Sequence, residues 1–116
     1  MAVAAGRASR VDIGRTAVEA ALGTPGVIEV SAGAGERMHA TAGEGERVPG
    51  VVVLAEDEER LLVGLHLVTS LEPLPALSER VRDSVLRAAA ERGFDGRIGR
   101  IDVVIEDIVL DGPEAS

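Results

Sequence analysis

From Leu61 to Leu71 the chain carries no charged residue, and Leu61, Val63, Leu65, Leu67 and Leu71 occupy alternate positions along it. A period of two over that length describes a β-strand with those residues on one face and Leu62, Gly64, His66, Val68 and Ser70 on the other. The run is far short of the roughly 20 apolar residues that a bilayer-spanning helix needs. A second stretch, from about Ile98 to Val109, sets Ile101, Val103 and Ile105 on one side and Asp102, Val104 and Glu106 on the other. Two such strands cannot stand alone. Their apolar faces need a second layer, which the rest of the chain must supply.

The chain has 116 residues, enough for one domain with a real core but not for two. Phe94 is the only aromatic residue, so that core has to be built from Val, Leu, Ile and Ala. Cysteine is absent, which excludes disulfides, thiolate catalysis and Cys-ligated zinc or iron–sulfur sites. Every one of the 12 basic residues is arginine, which removes Schiff-base chemistry and the lysine of a phosphate-binding P-loop. Twenty acids against those 12 arginines give a net charge of −8, a poor match to a polyphosphate backbone, so no nucleic-acid partner is expected. Met1 to Gly6 is too short for the apolar region of a secretory signal, so a cytoplasmic location without direct membrane insertion is expected.

Residues 1–10 read as a flexible tail, 11–110 as the domain and 111–116 as a second tail. Asp12 is a candidate N-cap for a helix with Ile13, Ala17, Val18, Ala21 and Leu22 on one face. Gly23 and Pro25 end it. Val27, Ile28 and Val30 form a short strand. Residues 32–50 hold five glycines and no strong period, which describes a long mobile loop, poorly ordered in the isolated chain from about Ala32 to Arg47. Val51–Leu54 and the Leu61 run are strands joined by the polar tip Glu56-Asp57-Glu58-Glu59, an antiparallel hairpin. Pro75 opens a second helix with Leu77, Val81, Val85, Ala88 and Ala89 as its stripe, and Gly93 closes it. A helix between the third and fourth strands makes those two parallel. The fold class is therefore α/β (α+β): a two-layer αβββαβ domain, its mixed four-stranded sheet covered by both helices on one face.

Chemical motifs are sparse. Gly33-Ala34-Gly35 and Gly43-Glu44-Gly45 each begin like a dinucleotide fingerprint, but Met38 and Val48 stand at the third glycine, and Glu44 and Glu46 would face a pyrophosphate badly. Glu56 to Glu59 lacks the alternating spacing of a calcium loop. His39 has only Glu36 and Glu44 near it in sequence, too little for a metal set. His66 and Ser70 share a strand face but lie about 13 Å apart by strand rise, too far for proton transfer. Asp102 and Glu106 also share a strand face, as acidic pairs do by chance in such a chain. No catalytic residue, metal ligand or cofactor is expected.

Several segments together resemble the alkaline shock protein family, also called the Gls-type cell envelope stress response family. They are Thr24-Pro25-Gly26-Val27, Val48-Pro49-Gly50-Val51, Leu61-Leu62-Val63-Gly64-Leu65-His66-Leu67-Val68, Leu74-Pro75-Ala76-Leu77-Ser78-Glu79-Arg80-Val81 and Ile101-Asp102-Val103-Val104-Ile105-Glu106-Asp107-Ile108. The likeness runs from about Val11 to Ile108, although the first helix is about one turn shorter than is usual in the family, and the middle loop lacks the fuller glycine-leucine pattern of many members. It implies a non-enzymatic bacterial stress-response scaffold: a cytosolic module that forms a homo-oligomer and is held at the inner face of the cell membrane by a membrane-anchored paralogue.

If the helices bury the odd face, the opposite face presents Leu62, His66, Val68 and Val104 as a contact surface for self-association or a partner. Contact there would desolvate His66 and leave the acidic hairpin outside. A nucleic-acid module is opposed by the missing stacking aromatics, basic stripe and GXXG clamp. The competing reading is a small ligand-binding or enzymatic α/β domain that uses the glycine-rich loop as a lid.

Overall fold

In the computed structural model, which describes residues 2–31, 39–41 and 47–110, the elements run α1 (Ala2–Leu22), β1 (Val27–Val30), β2 (His39–Thr41), β3 (Arg47–Pro49), β4 (Val51–Ala55), β5 (Leu61–Ser70), α2 (Leu74–Glu91) and β6 (Ile98–Val109). A short 3₁₀ turn at Asp95–Arg97 leads into β6. The four strands expected from the sequence, now β1, β4, β5 and β6, form one mixed sheet, and the place of the first strand, which the sequence left open, is beside β5.

β5 is its organising strand. On one side β6 runs parallel to it along its whole length, from the Leu61–Ile98 pair to Ser70–Val109. On the other side two strands share the edge end to end, both antiparallel. β4 lies against Leu61–Leu65 and β1 against Leu67–Thr69. The junction falls at His66, whose backbone N–H donates to the Gly50 carbonyl at 3.0 Å and whose carbonyl accepts from the Ser31 N–H at 2.7 Å. The chain thus leaves the edge after Ser31 and rejoins the same edge at Gly50.

Each half of that edge is entered through a Pro-Gly-Val turn. Gly50 has φ +85°, and a side chain there would collide with Val30 Cγ1. Gly26 has φ +97°, and a side chain there would meet the Glu72 carboxylate. Both need glycine for a left-handed backbone, and Gly50 needs it also for the close approach of Val30 and the Ser31 carbonyl.

The core lies between the sheet and the helices. Ile13, Ala17 and Ala21 of α1 and Leu77, Val81 and Val85 of α2 pack with Val51, Val53, Leu61, Val63, Leu65, Leu67 and Ile101. Val103 and Ile105 pack against the margin of this cluster. The alternating residues of β5 and β6 therefore sit beneath the helices as their period predicts. The two helices are tied at one end by Arg92, which donates to Thr16 Oγ1 at 3.1 Å and to Glu19 Oε1 at 3.2 Å.

Four boundaries differ from the sequence reading. Residues 2–10, expected as a tail, continue α1 back to Ala2, because Ala and Arg are strong helix formers and Asp12 does not force a start. Within the 32–50 loop, β2 and β3 pair as a short antiparallel hairpin with Val48 buried in the core. Strands of three residues are too short to show a period. The expected disorder of 32–47 otherwise lies outside the described residues, as does the 111–116 tail. Leu71 and Leu22, placed in the apolar stripes, are exposed because each lies where its element turns away from the core. The second helix begins at Leu74, one residue before Pro75.

Candidate interaction surface

The face of the sheet away from the helices is assembled by strand register. Leu54, Leu62 and Arg100 form one row across it; Val52, Gly64 and Asp102 form the next. His66 lies beside Val104, and Val68 lies between Glu29 and Asp107. The four residues picked from the sequence, Leu62, His66, Val68 and Val104, are therefore together on one face.

Their exposure is not uniform. Val104 is 40% exposed and Leu62 half-buried, whereas His66 and Val68 retain only 7% and 8% of their surface. Among the described residues no helix covers this side. A central strand flanked on both sides is shielded by the longer side chains of its neighbours, and His66 shows how. Its Nδ1–H donates to Glu106 Oε2 at 2.7 Å, so the carboxylate lies at the Nδ1 edge of the ring. Glu106 can reach because it occupies a bulge in β6: Leu67 pairs with Ile105 and Val68 with Asp107, leaving Glu106 as the extra residue. His66 needs no outside partner to be buried. The sequence reading, which expected contact to desolvate it, set Glu106 and His66 on the same face but did not pair them, because alternation along each strand does not fix the register between two strands.

The structure also adds Leu54, 54% exposed at the end of β4, to the apolar part of this face. Its alternation with Val52 was the available signal. Charged groups flank the strip: Arg100 Nε donates to Asp102 Oδ1 at 3.0 Å along one side, and Glu29 lies on the other.

Two other polar clusters serve the fold. At the hairpin tip the Asp57 carboxylate accepts the Glu59 and Arg60 N–H groups at 2.8 Å each, which makes Glu56–Arg60 a turn, as read. The Glu59 bond, then the Arg60 bond, hold this carboxyl below its ordinary range. Where β5 ends, Glu72 pairs with Arg80 of α2 and accepts from Ser70 Oγ at 3.0 Å, while Arg80 also donates to the Pro25 carbonyl at 3.1 Å. The Arg80 contact and then the Ser70 hydroxyl hold Glu72 below the usual glutamate range. Ser70 is thus turned to Glu72 while His66 is held by Glu106, so the serine and histidine serve different partners. The side chain of His39 lies outside the described residues. Among the described residues no group of three or more His, Asp or Glu side chains could hold a metal ion, and no helix is long and apolar enough to cross a membrane.

Compared with family models, curated proteins and solved structures, the chain matches none.

Proposed function

We propose that the protein is a non-enzymatic interaction module, a scaffold of the kind its resemblance to alkaline shock proteins implies. On this reading it self-associates and docks to a membrane-anchored partner at the inner face of the cell membrane. The observation that carries the reading is the helix-free sheet face. It offers Leu54 and Val104 to solvent beside half-buried Val52 and Leu62, and charged side chains border it. Apolar surface of this kind on a small domain marks a contact site more often than a reaction centre. The buried imidazole on the same face supports the reading, since its ring is already committed to Glu106.

The test compares the full chain with Leu54→Asp and Val104→Asp variants. Both positions are exposed, so the fold tolerates the charge. Mass is measured by light scattering over a concentration series, and retention on inner-membrane fractions is measured with and without detergent extraction of the anchored proteins. The reading expects retention that the extraction abolishes and the substitutions weaken. Retention equal in wild type and both variants, or no retention at all, would overturn it. A rise in melting temperature with a nucleotide or metal panel would favour the ligand-binding alternative, because only native-state binders produce it.

A further inference from the structure

We infer that two copies of this chain pair through the outer edge of β6, antiparallel about a two-fold axis at Val103, joining two sheets into one. The inference rests on the proposed reading only for its premise that the chain self-associates; the surface and register come from backbone geometry.

β6 is the longest strand of the molecule, and β5 is its only strand partner among the described residues. Which of its backbone groups point outward follows from His66. The N–H and carbonyl of His66 both serve the β1/β4 side, bonding Gly50 and Ser31. Backbone direction alternates along a strand, so Leu65 and Leu67 are the residues that serve β6. Leu65 lies opposite Val103 and Leu67 opposite Ile105. In a parallel ladder such residues bond the positions flanking their opposite number, so Asp102 and Val104 turn toward β5 while Ile101, Val103 and Ile105 turn outward. An independent contact agrees: the Ile101 carbonyl accepts from Arg82 Nε of α2 at 3.1 Å, which a group spent on β5 would not do.

An outward row of Ile101, Val103 and Ile105 restricts the registers in which a second copy can add. A two-fold at Asp102 sets that carboxylate against its own copy, and one at Val104 sets Asp102 against Glu106; like charges directly opposite are unfavourable. The two-fold at Val103 pairs Val103 with itself and Ile101 with Ile105, so apolar meets apolar, and it brings Arg100 of one copy near the bulged Glu106 of the other, which stays bonded to its own His66. It also makes the three outward residues the hydrogen-bonded pairs of the new ladder. Beyond them, the same register carries the exposed Ile108 of one copy toward the groove between α2 and β6 of the other, which Leu86, Ile98 and Ile101 line. One interface patch then matches itself, as a closed dimer requires. The Arg82 bond to Ile101 is exchanged for a backbone amide from the partner, a flexible side chain giving way to a fixed donor.

The test is sedimentation or light scattering of the full chain over a concentration series. Wild type is expected to form a dimer and no larger closed species. Val103→Pro removes one outward N–H while sparing the β5 ladder, and should leave a folded monomer, checked by circular dichroism. Arg100→Glu and Glu106→Arg should each weaken dimerisation by roughly tenfold, from two like-charge pairs per dimer. Mixing those two variants should restore it, because in the mixed dimer every position 100 again faces an opposite charge at position 106. That rescue cannot come from a folding defect. Leu54→Asp, remote from β6, should dimerise like wild type. A monomeric wild type, a dimer unaffected by Val103→Pro, or a mixture no tighter than its parts would overturn the inference. A dimer lost in Leu54→Asp but kept in Val103→Pro would overturn the edge while sparing self-association through the face. An edge dimer with no membrane retention would leave the edge standing and remove the scaffold reading.

Discussion

On the helix side of β5, Leu61, Val63, Leu65 and Leu67 are sealed by α1 and α2; on the other side His66 and Val68 are almost as dry with no second layer above them among the described residues. The first kind of burial is tertiary and apolar. The second is lateral, made by neighbours in the same sheet, and at His66 it includes the Glu106 carboxylate bonded at the Nδ1 edge of the ring. Equal accessibility therefore hides unequal energetics. Removing atoms from a packed interior leaves a cavity, whereas removing them from a laterally shielded face lets water or a neighbouring side chain fill the space.

The largest effect that would sharpen this contrast is Leu65→Ala, expected to cost about 2–5 kcal/mol in denaturant unfolding. The matching Leu62→Ala on the open face should cost less than about 1.5 kcal/mol, since Leu62 is half-buried and leaves no enclosed void. Equal losses at the two positions would break the distinction between the faces.

A second comparison separates two glycines with similar backbones. Gly50→Ala must overcome both a φ of +85° and the collision with Val30, and should cost about 2–3 kcal/mol. Gly93→Ala has a φ of +80° but open space around it, so it should cost only about 1 kcal/mol. If both cost the same, the close approach at the split edge is not what requires Gly50.

These positions also show how far the sequence could be read. The two helical stripes and the odd faces of β5 and β6 were legible because each is periodic and deeply buried. The parallel β5–β6 pair followed from the helix between them. What could not be read lies where periodicity is interrupted. The split of one sheet edge between β1 and β4 is built from two Pro-Gly-Val turns far apart in sequence, and nothing local in either says that both deliver the chain to the same neighbour. The register that sets Glu106 beside His66 leaves no mark on the apolar pattern. Leu62, His66, Val68 and Val104 therefore share one sheet face as their alternation predicts, while the burial of His66 and Val68 was not legible.

A third prediction concerns the single polar residue among the helix-side positions of β5. Thr69 is fully buried, and its hydroxyl has no hydrogen-bond partner among the described residues. Thr69→Val keeps the shape and removes the unsatisfied group, so thermal unfolding should shift upward by the equivalent of about 1 kcal/mol. On the open side the polar residue is satisfied, and Glu106→Ala should instead lose about 1 kcal/mol by stranding the His66 N–H. Opposite signs at these two positions are the expected result; a loss at both would show that Thr69 has a partner in solution.

The smallest effect is acid dependence, and it distinguishes the solvent-facing polar turns from the shielded face. Asp57 and Glu72 both titrate below their ordinary ranges in the folded chain, Asp57 through the Glu59 and Arg60 amides and Glu72 through Arg80 and Ser70. A carboxyl with a folded pKa below its unfolded one binds fewer protons when folded. Its contribution is complete above the ordinary carboxylate range and is lost as the pH falls through that range toward the folded pKa. Stability should therefore be flat near neutrality and decline in acid, with the Glu72 part weakened by added salt because Arg80 is partly exposed. Asp57→Ala and Glu72→Gln should each lie below wild type near neutrality, and their curves should converge on it as the pH falls. A gap between wild type and Asp57→Ala that stays constant into acid would mean that the turn draws no stability from the charged form of that carboxylate, and that the amide bonds at 2.8 Å are made equally well by its neutral form.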